Sequence, residues 1–226
     1  QAEADRIARE SITILKDQNN LLPLDPIKYK NVLLISIADD ELGNTGSFFA
    51  RSLRDYHPNV SFSVFDNRSD DNDVQKIIQQ AQSADLIIIG SFISLRFAES
   101  IQLPKKHSAF LNKIMKLNKK TVLTMFGNPY LVSELQETDV HVMAWSNHSM
   151  QMKAVAPTLF GAANVSGTLP IEIPKLYNVG DGLNFKQTSL RYGAPEEVGI
   201  NSQKLYEIED ILKDAVLDSV FPGAVT

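Results

Sequence analysis

From residue 31 onward, short apolar runs alternate with amphipathic stretches. The runs at Val32 to Ile37, Val60 to Phe65, Leu86 to Gly90, Thr121 to Phe126 and Val140 to Trp145 read as strands. Between them, Val74, Ile77, Ile78 and Ala81 fall at helical spacing on one face, as do Phe110, Leu111, Ile114 and Leu117. Strand runs alternating with helical stripes predict parallel strands joined by crossover helices. The fold class expected is therefore α/β: an open, mostly parallel doubly wound sheet flanked by helices, an α/β sandwich. In such a sheet the ligand crevice lies beyond the carboxyl ends of the strands. That rule nominates the loops Ala38 to Ser47, Ser91 to Leu103 and Asn128 to Leu131.

The texture changes after Pro174. Lys175 to Gly193 carries Asn, Gly and Asp without periodicity and reads as a linker or meandering loop. A second helical pattern follows Pro195 to Ile200, with Asn201 or Ser202 as cap and Leu205, Ile208, Ile211, Leu212, Ala215 and Val216 on its apolar face. Phe221 to Val225 closes the chain. The organisation expected is a domain over 1–174, a linker over 175–194 and the start of another unit over 195–226.

Composition narrows the chemistry. The 226 residues carry a net charge of −5 with scattered lysines, so no basic stripe offers itself to nucleic acid. Runs such as Leu86 to Ile89 are far shorter than the ~20 residues of a membrane span. With no cysteine, disulfides, thiol nucleophiles and Cys-ligated metals are excluded, while the compartment stays open. The chain begins at Gln1 inside a helical pattern without Met or leader, as expected of an excerpt from a longer protein. The turn Ala38 to Gly46 has two glycines but three consecutive acids, Asp39, Asp40 and Glu41, where a pyrophosphate would sit, which makes dinucleotide binding poor.

Three further segments occur in fixed order: Phe126-Gly-Asn-Pro-Tyr130, Leu159-Phe-Gly-Ala162, and Ser166-Gly-Thr-Leu-Pro-Ile-Glu-Ile-Pro174. The first stops a buried run and turns the chain. The second ends a helical pattern at a glycine. The third is extended and proline-bounded, which suits an edge rather than a central strand. Together with Ala8 to Leu15 and Asn20 to Leu24, this set resembles the C-terminal α/β domain of glycoside hydrolase family 3 over roughly residues 1 to 175. Residues 195 to 226 resemble the opening helix and first strand of a serine β-lactamase-like domain. That family's Ser-x-x-Lys motif does not occur, so no such activity is implied.

The family 3 resemblance implies a retaining glycosidase with two carboxyl groups about 5 Å apart. It implies that the nucleophile lies in a preceding barrel domain, the partner of this one within the same polypeptide. In the β-glucosidase branch the proton donor is a Glu in the loop after the strand corresponding to Leu86 to Gly90. Here that loop is short and Glu99 is its carboxylate, close to Leu103-Pro104. The shortened loop resembles the β-N-acetylglucosaminidase branch, in which a His-Asp pair of the barrel donates the proton. Three expectations follow. The chain is an accessory domain of an enzyme acting on β-linked N-acetylglucosamine glycans, or a β-glucosidase-type domain with Glu99 as acid/base, or a non-catalytic binding module. Arg96 and Phe97 are candidates for lining a sugar pocket. Among the histidines, His57, His107 and His141 read as structural, and His148, after a strand's carboxyl end, as a substrate-binding candidate. No cofactor or metal is implied, the substrate is a carbohydrate, and the resemblance implies a periplasmic or secreted parent.

Overall fold

The computed structural model describes residues 2–94, 102–190 and 195–220. In chain order its elements are α1 (Ala2–Ser11), β1 (Thr13–Asp17), β2 (Val32–Ile37), α2 (Ser47–Arg54), β3 (Val60–Phe65), α3 (Asp71–Ser83), β4 (Leu86–Ser91) and α4 (Lys105–Met115). They continue with β5 (Lys120–Met125), β6 (Val140–Met143), α5 (Ser149–Leu159) and α6 (Ser202–Leu217), with 3-10 turns at Pro129–Glu134 and Pro195–Val198. The chain forms two compact units, the first running from Glu3 to Leu190.

In the first unit, six strands form one sheet in the order β1-β6-β5-β4-β2-β3. Strands β2 to β6 are parallel and β1 is antiparallel to β6. The sheet is open, mostly parallel and flanked by helices on both faces, as the hydrophobic pattern predicts. Alternate residues divide it into two core layers. Val32, Leu34, Leu86, Ile88, Val122 and Val142 pack with Phe49 and Leu53 of α2 and Val155 and Leu159 of α5. Leu33, Ile35, Ile87, Ile89 and Leu123 pack with Val74 and Ile77 of α3 and Phe110 and Ile114 of α4. A one-residue slip of any strand would exchange the two sets, so register is fixed by burial. Helix α3 starts at a capping box: Asp70 accepts from Asp73 N at 2.9 Å, and Asp73 accepts from Asp70 N at 3.1 Å. Such caps contribute about 1 kcal/mol.

The β1 edge departs from the sequence pattern, whereas the β3 edge falls at Val60–Phe65 as expected. No strand is expected before residue 31, yet β1 borders β6, with its register shifting between Ile14 and Lys16. The stretch Ser166 to Pro174, suited to an edge, forms no ladder there; Thr13–Asp17 occupies the edge instead. Residues 176–189, still within the first unit, fold back towards β1 and the segment after α5. Leu183 N donates to Ile14 O at 2.7 Å, Val165 and Phe185 exchange bonds at 2.9 and 3.0 Å, and Thr188 N donates to Gly161 O at 2.8 Å. A stretch without periodicity thus finds its order in partners distant in sequence.

The second unit contains α6, capped by Asn201, whose side chain accepts from Gln203 N at 2.8 Å. The helix buries none of its residues, and Leu205, Ile208, Ile211 and Val216 of its apolar stripe are exposed. No helix among the described residues is long and apolar enough to cross a membrane.

Candidate functional site at the carboxyl ends of the strands

Chain order reverses at β2, whose neighbours are β3 and β4. The crevice of a doubly wound sheet opens beyond the carboxyl ends at such a point. Ser36 and Ser91 stand there, and their buried hydroxyls have no hydrogen-bond partner among the described residues. An unpaired buried polar group is costly, about 1–3 kcal/mol, and uncommon in structures. Beside them, Phe92 stacks on Phe126 with centroids 4.6 Å apart, and Phe126 meets Phe49 edge-on at 4.9 Å.

The Phe-Gly-Asn-Pro-Tyr segment holds the backbone that leaves β4. Asn128 N donates to Ile93 O at 2.8 Å, while its buried side chain accepts from Tyr130 N at 3.0 Å. A Cβ on Gly127 would run into the carbonyl of Ile93, so only glycine permits this approach. Ser94 N reaches Asp39 Oδ2 at 3.3 Å. Further on, Leu103 N donates to Glu134 Oε1 at 2.7 Å. The descents from β4 and into α4 are therefore both pinned. The candidates Arg96, Phe97 and Glu99 lie outside the described residues.

The acidic turn after β2 braces itself. Asp40 accepts from Leu42 N at 3.1 Å and from the Thr45 hydroxyl at 2.6 Å. His107 is fully buried, with Nε2 2.8 Å from Ala38 O, and burial pushes its pKa down. His57 sits between Tyr29 O, 2.7 Å from Nε2, and Asn59 N, 3.1 Å from Nδ1. His141 lies 2.8 Å from the Tyr177 hydroxyl, and burial followed by the charge of Lys16 lowers its pKa to about 4. His57 and His107 thus hold backbone groups, and His141 holds the Tyr177 side chain.

His148 is exposed at the N-cap of α5, where Nδ1 accepts from Met150 N at 3.3 Å. Pattern reading carries the preceding strand through Trp145, but β6 stops at Met143 and Trp145 takes a left-handed backbone, φ 68°. Its indole donates to Ser11 O at 2.9 Å. A bulky residue with positive φ is an outlier that surrounding contacts must hold, and such residues cluster at functional sites. Hydropathy carries no signal for this conformation. Trp145 and His148 thus share one carboxyl-end loop.

Comparison with known proteins agrees with this geometry. The profile of the glycosyl hydrolase family 3 C-terminal domain matches residues 12–223. A periplasmic beta-glucosidase of Salmonella typhimurium is 24% identical over 218 residues, covering 76% of this chain and 28% of that protein. The chain thus spans under a third of the length of this curated relative. Among solved structures, a fungal multi-domain family 3 β-N-acetylglucosaminidase superposes with TM-score 0.64 at 21% identity, over 77% of this chain and 19% of that one. The β-glucosidase of Listeria innocua in complex with isofagomine gives 0.60 at 20% identity, over 74% and 26%. A β-N-acetylglucosaminidase from Paenibacillus sp. gives 0.58 at 18% identity, over 73% and 31%. With the profile matched across both units, the chain belongs to the glycosyl hydrolase family 3 C-terminal domain family.

Proposed function

We propose that this chain is the accessory α/β domain of a retaining glycoside hydrolase acting on β-linked N-acetylglucosamine glycans. The nucleophile and the proton donor come from an N-terminal barrel domain of the same polypeptide. The observation that carries this reading is the short connection between β4 and α4, pinned at Ile93 by Asn128 and at Leu103 by Glu134. So short a span suits a wall of the site better than a donor arm. The crevice beyond β2 and β4 would face the barrel and exclude water from the reacting sugar, with Arg96, Phe97 and His148 as candidate contacts. A periplasmic or secreted location draws support from the Salmonella relative, itself named periplasmic.

The name of that relative also favours a second reading, in which Glu99 is the acid/base of a β-glucosidase. Glu99→Gln in the protein joined to its barrel separates the two. Unchanged kcat on an aryl β-N-acetylglucosaminide supports the first reading; a loss of 10²-fold or more on a poor leaving group is the size expected of a missing general acid and supports the second. For residues 195–226 we propose the opening of a β-lactamase-like domain. That reading draws on the apolar stripe of α6, uncovered within its own unit, since an isolated helix of this length is marginal in water.

A further inference from the structure

A groove of about 520 Å³ lies between β3 and α3, ending at the turn after β3. It is lined by Ser63, Asp66, Arg68, Asp73, Lys76 and Gln80, with Ile77 as an apolar wall. Its polar groups are set in place. Asp66 is buried and accepts from the backbone N–H groups of Arg68 at 2.9 Å and Ser69 at 3.2 Å, and from Arg68 Nη2 at 3.1 Å. Burial works to raise the Asp66 carboxyl, and these bonds outweigh it and hold the group below the usual range. Arg68 stays half exposed, and its other guanidinium donors have no partner among the described residues. Gln80 accepts from the Ser63 hydroxyl at 2.5 Å, leaving its NH₂ without a partner among the described residues.

Two carboxylates and two cations line the groove, so its formal charge sums to zero and a charged ligand gains no net attraction. Guanidinium, carboxylate and amide groups present paired donors or acceptors in one plane. That spacing matches vicinal hydroxyls. A peptide strand fits less well. Val32 N bonds Asn59 O and Ala38 N bonds Phe65 O, so the odd-numbered positions of this strand face β2 and the even-numbered ones face outward. Of these, Val60 O is already taken by Arg54, with bonds of 3.0 and 2.8 Å, which leaves two rungs without a partner among the described residues, at Phe62 and Val64.

We propose that this groove is an accessory binding site for a neutral oligosaccharide, separate from the crevice beyond β2 and β4. The ligand class rests on the glycosidase reading above. The test is an amide chemical-shift titration of this chain with cello-, laminari- and chitotetraose to about 10 mM, a range that captures weak binding. A short extended peptide serves as control. The site predicts perturbations at residues 63–69 and 73–80 with at least one sugar. It also predicts binding weakened at least about tenfold by Arg68→Ala combined with Gln80→Ala, the size of a lost charge-assisted bond, in a variant whose amide spectrum shows the first unit still folded. No shift with any sugar, shifts that survive the double variant, or shifts with the peptide alone overturn it. Hydrolysis by the barrel-joined protein is measured in parallel. Hydrolysis with a silent groove removes only this site, whereas a sugar-binding groove without hydrolysis supports it and removes the glycosidase reading.

Discussion

The two edges of the sheet are finished in opposite ways. At β1, the returning segment 176–189 covers the strand: Leu183 N bonds Ile14 O, and Tyr177 reaches His141 on the neighbouring β6. At β3, nothing among the described residues continues the ladder, and Arg54 alone takes an outward carbonyl. Exposed edges invite pairing with other chains, and proteins guard them by cover or by charge. The covered edge depends on close backbone packing. The open edge depends on polar side chains, which also shape the groove. The first should therefore be fragile to added volume, and the second tolerant of it.

The largest effect expected is at the covered edge. A Cβ on Gly182 would meet the carbonyl of Gly167, a backbone atom that cannot swing aside. Gly182→Ala should destabilise the first unit by about 1–3 kcal/mol in chemical denaturation, the range of an overpacked site. A variant as stable as the parent would show that the returning segment is only draped on β1.

Next comes Asp139, whose carboxylate accepts from Lys120 Nζ at 2.9 Å, Thr121 N at 2.9 Å and the Thr121 hydroxyl at 3.2 Å. Burial raises this carboxyl, and Lys120 with Thr121 outweighs it, so its pKa lies below the ordinary value. The bonds are thus at full strength above the ordinary carboxylate range and are lost as pH falls through the lowered value. Asp139→Asn should cost about 1–2 kcal/mol at neutral pH, since the Lys120 partner is itself partly exposed. The same substitution at low pH should change little.

His141 acts in a separate pH window. Its folded pKa of about 4 lies below the ordinary 6.5, so the native state disfavours the imidazolium. Stability is complete above pH 6.5 and falls as pH drops from 6.5 towards 4. Melting curves across that window should slope for the parent and flatten for His141→Gln. Tyr177→Phe, which removes one bond holding the returning segment, should cost about 1 kcal/mol.

At the open edge, Arg54→Ala should cost under about 1 kcal/mol, because its acceptor can turn to water. Its clearer readout is self-association by light scattering, as the Val60 rung is freed. A loss as large as that at Gly182 would erase the contrast between the edges.

The β1 edge marks the boundary of what the sequence made legible. Strands β2, β3 and β4 begin where their apolar runs begin; for the central β2 and β4, burial on both faces demands a continuous Val/Ile/Leu signal. Helices α3 and α4 bury Val74, Ile77 and Ala81, and Phe110, Leu111 and Ile114, as their spacing requires. Strand β1 escaped notice because its order comes from β6, more than a hundred residues away, and from Leu183. At the candidate site, the topological rule locates the crevice from strand order, and the glycine of Phe126 to Tyr130 marks the close approach to Ile93. The left-handed Trp145 and the groove at Arg68 and Gln80 depend on backbone angle and on side-chain convergence. Neither leaves a periodic trace.

The most direct test of the central claim is hydrolysis of paired chromogenic β-glucoside and β-N-acetylglucosaminide substrates, by this chain alone and by the protein joined to its barrel. The account predicts no turnover by the chain alone, and turnover of the N-acetylated sugar by the joined protein. Hydrolysis by the isolated chain would contradict it, placing a complete catalytic site within these 226 residues.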